Sequence, residues 1–183
     1  MHYGVLVAAL AVLSSGGPKV PSGAVIWLEA EAFQQHGGWS LDSQFLDQMG
    51  SPYLLAVGRG TPVADAVSTV TPPKPGRYRI WARTRDWAPE HHPGRFQLLL
   101  AGRAVDRVFG ESGRPGWHWE DGGVCMLAGK MELRLHDLTG YYGRCDVVVL
   151  TDDLGWVPPE ERDAIAALRE RFGAVSRGVA DLP

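Results

Sequence analysis

The 183-residue chain has little cysteine and no strong charge of either sign. Its formal net charge of −3 excludes the broad basic field of a nucleic-acid-binding protein, so we expect no nucleic-acid partner. The two cysteines, Cys125 and Cys145, form no C-x-x-C pair and no His/Cys cluster, which excludes a typical zinc site. Each lies in an apolar strand-like run, so the sequence allows either one disulfide or two buried free thiols.

The chain also lacks a hydrophobic run long enough to cross a bilayer. The N-terminal apolar run, Val5–Leu13, is too short for a transmembrane helix but suits the core of a secretory signal. A disordered apolar leader or a misassigned start is the alternative, because no Lys or Arg precedes the run. We therefore predict a signal peptide and linker over 1–23 and a secreted or periplasmic protein.

Motifs of common catalytic chemistries are absent. No G-x-S-x-G elbow accompanies Ser40, and the histidine pair at 91–92 would need a further ligand from elsewhere to hold a metal. The string GRGTPV at 58–63 lacks the third glycine of a dinucleotide-binding fingerprint, so no FAD is expected on this chain. These absences predict a protein that is not an enzyme.

Turn residues and alternating strands are abundant instead. The 23 glycines and 13 prolines separate short runs in which apolar side chains recur at every second position. The alternating runs are 76–87, 94–102 and 131–138, and 52–58 is a short apolar run. This spacing predicts an all-β fold over 24–153, an antiparallel, jelly-roll-like β-sandwich, with an open α+β sheet as the alternative.

The C-terminal part, 154–183, has a different pattern. Pro and acidic residues open the stretch 158–173, arginines and Gly173 close it, and Ile165, Leu168 and Phe172 recur at helical spacing. We predict one short α-helix, whose narrow apolar stripe could pack on the sandwich or on another domain.

Three acidic residues stand at unusual positions. Glu29 and Glu31 share one side of the predicted first strand, about 7 Å apart, and Asp146 interrupts an apolar strand near the end of the chain. Calcium prefers carboxylate oxygens, and an ion shared by the three would join the first strand to the last. The alternative is that both glutamates are solvated and Asp146 pairs with an arginine.

The stretches WLEAEAF, GRYRIWAR and the Asp-bearing last strand resemble the β-sandwich carbohydrate-binding modules of families 6 and 35. The resemblance implies a galactose-binding-like fold, a carbohydrate ligand, and a structural calcium ion held by Glu29, Glu31 and Asp146.

Residues 27–152 also resemble the N-terminal module of exported bacterial FAD-dependent oxidoreductases, through stretches such as WARTRDW, GWHWEDGG and LHDLTGYYGRCDVVVLTDD. In that family the module precedes a dinucleotide-binding domain, which this sequence does not include. The resemblance implies that a catalytic domain, an oxidoreductase or a hydrolase, could be a partner.

Aromatic and arginine side chains supply a candidate sugar-binding face, because flat rings stack on sugars and forked donors bind hydroxyls. The predicted ligand-binding residues are Trp39, Arg83, Arg85, Asp86, Trp87, Trp119 and Tyr142. A strand tryptophan can equally belong to the core, and the charged residues can form a structural network. Trp87 and Tyr142 are the best exposed candidates because both lie in turn-like context.

The sequence therefore predicts a non-catalytic module that binds a poly- or oligosaccharide. The main alternative is an interaction or scaffold module that docks onto, or was split from, a FAD-dependent oxidoreductase. A third reading is a degraded part of such an enzyme with no function of its own.

Overall fold

The computed structural model describes residues 19–177, with side chains up to residue 173. The predicted secretory signal falls on residues outside this range. Two antiparallel sheets pack face to face and form a β-sandwich, and one long helix lies at the C-terminal end of the described chain. The predicted fold class is confirmed.

The larger sheet has six strands arranged around the last one. Its strands are β1 (Val25–Glu29), β2 (Trp39–Asp42), β3 (Tyr53–Val57), β5 (Gly76–Arg85), β8 (Trp117–Leu127) and β10 (Tyr141–Thr151). The order is β2-β3-β10-β5-β8. The first half of β10 pairs with β3, and the second half of the same edge pairs with β1. The first and last strands are therefore direct neighbours.

The smaller sheet has four strands in the order β4-β9-β6-β7. They are β4 (Ala66–Val70), β6 (Phe96–Leu100), β7 (Arg103–Phe109) and β9 (Met131–Asp137).

The main core fills the space between the sheets and follows the alternation of the strands. In β5, the predicted apolar face of Tyr78, Ile80 and Ala82 is fully buried there. The opposite face of β5, which carries Trp81 and Arg83, points to the outer side of the six-stranded sheet. The outer side is thus where charged and aromatic side chains collect.

The helices are short α1 (Leu46–Met49) and long α2 (Arg162–Arg177). A second apolar cluster forms where α2 and the segment before it cover part of the outer face of the six-stranded sheet. Its members are Trp27, Trp81, Trp119, Val147, Val149, Trp156, Ile165 and Leu168, with Phe172 packed against it. The predicted helical stripe therefore packs on the sandwich.

Cys125 and Cys145 are both free, and Cys145 is completely buried. Of the two alternatives that the sequence allowed, the structure has the free thiols. Among the described residues, no helix combines the length and the apolar character needed to cross a membrane.

Candidate functional site

The three predicted acidic residues meet on the outer side of the six-stranded sheet. Glu29 ends β1 and Asp146 lies on β10, and carboxylate oxygens of Glu29, Glu31 and Asp146 all lie within 4.8 Å of one another. One detail of the prediction needs correction. The strand ends at Glu29, and a 3-10 turn, Ala30–Ala32, carries Glu31. The turn, rather than strand alternation, brings Glu31 beside Glu29.

Asp146 is completely buried, and both of its carboxylate oxygens accept hydrogen bonds. Arg83 Nη1 donates to Oδ2 at 2.8 Å, and the Ser51 hydroxyl donates to Oδ1 at 2.7 Å. The pairing of β10 with β5 shifts register between Cys145 and Val147, which marks a β-bulge at Asp146. A carboxylate is stable inside this strand because Arg83, from the neighbouring strand, neutralises it.

Arg169 of α2 joins Asp146 to Glu29. Its Nε donates to Glu29 Oε1 at 2.7 Å, its Nη2 lies 3.4 Å from Asp146 Oδ1, and its Nη1 donates to the Met49 carbonyl at 3.2 Å. The Trp27 indole N–H also donates to Glu29 Oε1, at 2.7 Å. One guanidinium thus connects β1, β10 and the end of α1.

The cluster has more carboxyl groups than cations, because three carboxyl groups lie beside two arginines, Arg83 and Arg169. Burial, and then the charge of Glu29, raise the pKa of Glu31 to about 8. Burial also raises the pKa of Glu29, although Arg169 opposes that change. Within the described residues, Glu29 Oε2 and Glu31 Oε2 are buried and have no hydrogen-bond partner.

The cluster fits calcium only in part. The two unpartnered glutamate oxygens are suitable ligand atoms. The oxygens of Asp146 and Glu29 Oε1 already bind arginine N–H groups or the Ser51 hydroxyl. Calcium at this place remains a prediction, and Arg169 is a competing cation.

Two of the predicted sugar-stacking tryptophans are buried. Trp39 is 3% exposed and packs edge-to-face on Phe96 in the main core. Trp119 is 5% exposed beneath the segment before α2, and its indole N–H donates to the Pro159 carbonyl at 2.9 Å. Neither ring is accessible to a ligand, so we leave both out of the binding surface. Their large apolar area is better buried in a core than presented to water.

Arg83 and Asp86 have structural partners as well. Arg83 is 5% exposed and neutralises Asp146. Asp86 is 1% exposed, accepts a hydrogen bond from the Gly113 N–H, and lies 2.7 Å from His92 Nδ1. Both side chains have structural partners, although these are Asp146, His92 and the Gly113 N–H rather than one another.

Trp87 and Tyr142 are exposed, as their turn-like context predicted. Their relative exposures are 38% and 36%, and their rings meet edge-to-face at 5.5 Å. The Trp87 indole N–H donates to the Tyr141 carbonyl at 3.2 Å, which fixes the ring. The Arg144 guanidinium lies 5.6 Å from the Trp87 ring and donates to the Tyr142 carbonyl at 2.8 Å.

The exposed pair continues into a row of arginine and aromatic side chains on the outer face of the six-stranded sheet. Arg85 stacks on Phe45 with 4.3 Å from guanidinium to ring centre, and Phe45 meets Trp117 at 6.1 Å. We call this row the aromatic–arginine strip. It consists of Trp87, Tyr142, Arg144, Arg85, Phe45 and Trp117.

Within the described part of the chain, the strip contains two arginines without an ion pair and three buried N–H groups without an acceptor. Among the described residues, Arg85 Nε, Arg144 Nε and Trp117 Nε1 are buried and have no acceptor, and neither arginine forms an ion pair. Burial lowers the pKa of Arg144, and the charge of Arg85 acts in the same direction, against Tyr53 and Asp42. Asp42 therefore acts on Arg144 from a distance but forms no ion pair with it, and Arg85 has no ion pair among the described residues, so the positive charge here suits a ligand rich in oxygen acceptors.

The backbone at this end of the sandwich is strained. Tyr142 has φ 63° and His92 has φ 47°, a left-handed conformation that non-glycine residues rarely adopt. A Cβ at Gly94 would lie 2.8 Å from the Tyr142 carbonyl oxygen, so only glycine allows this approach. Such strain often accompanies a binding site, because the packed surroundings hold side chains in place for a ligand.

The sequence did not indicate three residues that take part in the acidic cluster or the strip. Phe45 lies in a loop without alternation, Ser51 follows a helix of one turn, and Arg169 lies on a helix whose docking site the sequence does not encode locally. The helical spacing of Arg169 from Ile165 does place it near the buried stripe, and this was the one available indication.

No protein-family model and no curated protein matches the sequence. Solved structures do match the fold. A family 35 carbohydrate-binding module from Clostridium thermocellum is 17% identical with a TM-score of 0.57; the match covers 69% of this chain and 97% of that chain. The C-terminal family 6 module of the marine laminarinase LamC from Zobellia galactanivorans is 16% identical with a TM-score of 0.52, covering 70% and 100%.

The GH26-CBM35 β-(1,4)-mannanase of Podospora anserina is 18% identical with a TM-score of 0.54. The match covers 76% of this chain but only 28% of the mannanase. At these identities the likeness establishes the fold: this chain has the β-sandwich of carbohydrate-binding modules of families 6 and 35.

Proposed function

We propose that this chain is a non-catalytic carbohydrate-binding module whose ligand lies on the aromatic–arginine strip. The observation that carries the proposal is the exposed Trp87–Tyr142 pair beside Arg144, on a fold that carbohydrate-binding modules share. The two rings offer apolar faces to a sugar. The half-buried Arg85, which forms no ion pair among the described residues, offers its guanidinium group to the sugar's hydroxyl or carboxylate oxygens, and Arg144, 9% exposed, supports the Trp87 ring from below.

The strip is suited to binding because its members are already held in place. The Trp87 ring is fixed by the Tyr141 carbonyl, and Arg144 by the Tyr142 carbonyl. Side chains that are ordered before binding lose little conformational entropy when a ligand arrives.

One argument for the alternative function, docking onto another protein, does not hold. An exposed apolar stripe on α2 would have favoured a protein partner, but Ile165 and Leu168 are buried against the sheet. Export, and a partnership with an oxidoreductase or hydrolase domain, remain predictions from the sequence.

A glycan array with the full chain, followed by calorimetry on the best glycan, tests the proposed function. We expect Trp87→Ala to weaken binding about fivefold or more, because one stacked ring contributes about 1 kcal/mol. The control is Met126→Ala, which removes an apolar side chain that is 68% exposed at the other end of β8. Absence of binding to every neutral and acidic glycan, or equal affinities for the two variants, would overturn the proposal.

A further inference from the structure

The acidic cluster of Glu29, Glu31 and Asp146 requires a cation from outside the strands that carry it. A buried carboxylate without compensation is costly, and Glu29 and Asp146 are 7% and 0% exposed. Arg83 of β5 neutralises Asp146 but has no hydrogen bond to either glutamate among the described contacts. One further positive charge is needed to hold the glutamates beside Asp146.

Arg169 supplies that charge from a different element. It lies 140 residues from Glu29 and 23 from Asp146 in sequence, and it contacts both carboxylates as well as the Met49 carbonyl. The Arg169 side chain is only 14% exposed. The charges of Asp146 and Glu29 raise its pKa although burial alone would lower it, so it stays charged. The guanidinium therefore occupies the place of a cation that bridges the first strand and the last.

We propose that this cluster is a cation site whose resident cation is Arg169, and that a divalent cation binds there only when Arg169 withdraws. Calcium needs six to eight oxygen ligands at about 2.3–2.6 Å. Glu29 Oε1 already accepts a hydrogen bond from Arg169 Nε at 2.7 Å, and Asp146 Oδ2 accepts one from Arg83 at 2.8 Å. An ion on the same oxygens would lie against two guanidinium groups of like charge.

Docking of α2 and binding of a divalent cation are consequently competing events. By thermodynamic linkage, docking of α2 on the sheet lowers the affinity of the site for the ion, and binding of the ion weakens the docking of α2 by the same free energy. The helix thus makes the chain independent of metal, and its loss would create a metal site.

The first test compares melting temperatures of the full chain and of Arg169→Met, each with EDTA and with millimolar calcium. Methionine keeps most of the apolar length of the side chain and removes the charge. We expect no calcium effect on the wild type, a melting temperature about 5–10 °C lower for the variant, and partial recovery of the variant by calcium. Arg171→Met, on the exposed side of the same helix, should behave like the wild type.

The second test detects the ion directly, by terbium luminescence excited through tryptophan. Trp27 donates to Glu29, so it lies close enough to sensitise a bound terbium ion. The Arg169→Met chain should give a saturable signal that calcium abolishes and that Glu31→Gln in the same background removes. Arg169→Lys keeps the positive charge and should give little signal, which separates charge from packing.

Three results would overturn the inference. Calcium that stabilises the wild type would show that the ion binds beside Arg169. A melting temperature of Arg169→Met equal to that of Arg171→Met would show that the cluster does not need this charge. An Arg169→Met chain that binds neither terbium nor calcium would show that the three carboxylates do not form a metal site.

Discussion

Asp146 illustrates what single residues reveal before a structure is known. A carboxylate among valines had to have a compensating partner, and the opening glutamates were predicted to lie beside it, as they do. The identity of the cations was not predictable, because Arg83 and Arg169 are 63 residues before and 23 residues after Asp146. Charge compensation across such distances depends on tertiary packing, which local patterns do not record.

Trp39 and Trp119 show what the sequence does not reveal, namely whether a strand side chain is covered by another layer. Alternation places a tryptophan on one side of a strand but does not say whether another layer covers that side. Trp119 became a core residue because the segment before α2 covers its side of the sheet, whereas Trp87 stayed exposed because it follows the end of β5. Turn context was therefore the better indicator of an accessible ring.

Glu120 is the residue for which we predict a pH effect. It is 3% exposed, lies 3.0 Å from Arg107 and 3.3 Å from His118, and accepts a hydrogen bond from the Gly110 N–H. Burial raises its pKa, but the contacts with His118, Arg107 and Gly110 outweigh burial, so the net pKa lies below the usual 4.5. A lowered carboxyl pKa contributes stability that is present above pH 4.5 and is lost as the pH falls through the folded-state pKa.

Urea unfolding of the wild type and Glu120→Gln at pH 7, 5 and 3 measures this contribution. We expect the variant to be about 1–3 kcal/mol less stable at pH 7, and the difference to shrink at pH 3. Replacement of the exposed Glu161 by glutamine is the control and should leave the pH profile unchanged. A difference between the wild type and Glu120→Gln that is constant with pH would contradict the assignment.

At the scale of elements, strands with clear alternation were predictable and irregular ones were not. The runs at 76–87 and 131–138 contain β5 and β9 because period-two patterns are local. The 3-10 turn after β1 was missed because Glu-Ala-Glu-Ala alternates as a strand would. After the turn, Gln35 forms an isolated bridge with Val67 of β4, so the chain has crossed to the other sheet.

Helix α2 was predictable from its end residues and its apolar spacing, but the sequence did not determine whether it packs on the sandwich or on another domain. In the structure its stripe completes the second apolar cluster on the outer face of the six-stranded sheet. The helix therefore belongs to the sandwich as a partial third layer.

Leu168→Ala tests this role of α2. Leu168 is 1% exposed, so the truncation should leave a cavity and reduce the free energy of unfolding by about 2–5 kcal/mol. Glu170→Ala, on the exposed side of α2, should change it by less than about 0.5 kcal/mol. Both values come from denaturant unfolding, and a Leu168→Ala chain as stable as Glu170→Ala would mean that α2 is not docked.

At the scale of the whole molecule, the sandwich could be predicted, whereas its strand order and its binding surface could not. The aromatic–arginine strip combines a loop after β2, the end of β5 with Trp87 after it, and the starts of β8 and β10. No local pattern links Phe45 to Trp117 or Arg85 to Arg144, because they meet only after the sheet has assembled. The strip is the part of the account on which the proposed function depends.

The most direct measurement of that function is an NMR titration of the full chain with the best glycan from the array. The indole N–H signals of the seven tryptophans report separately on the strip and on the covered sheet face once single Trp→Phe variants have assigned them. The account predicts that the signals of Trp87 and Trp117 shift in a saturable manner while those of Trp27 and Trp119, beneath α2 and its preceding segment, do not. Shifts confined to Trp27 and Trp119, or no shift of any indole signal at saturating glycan, would contradict it.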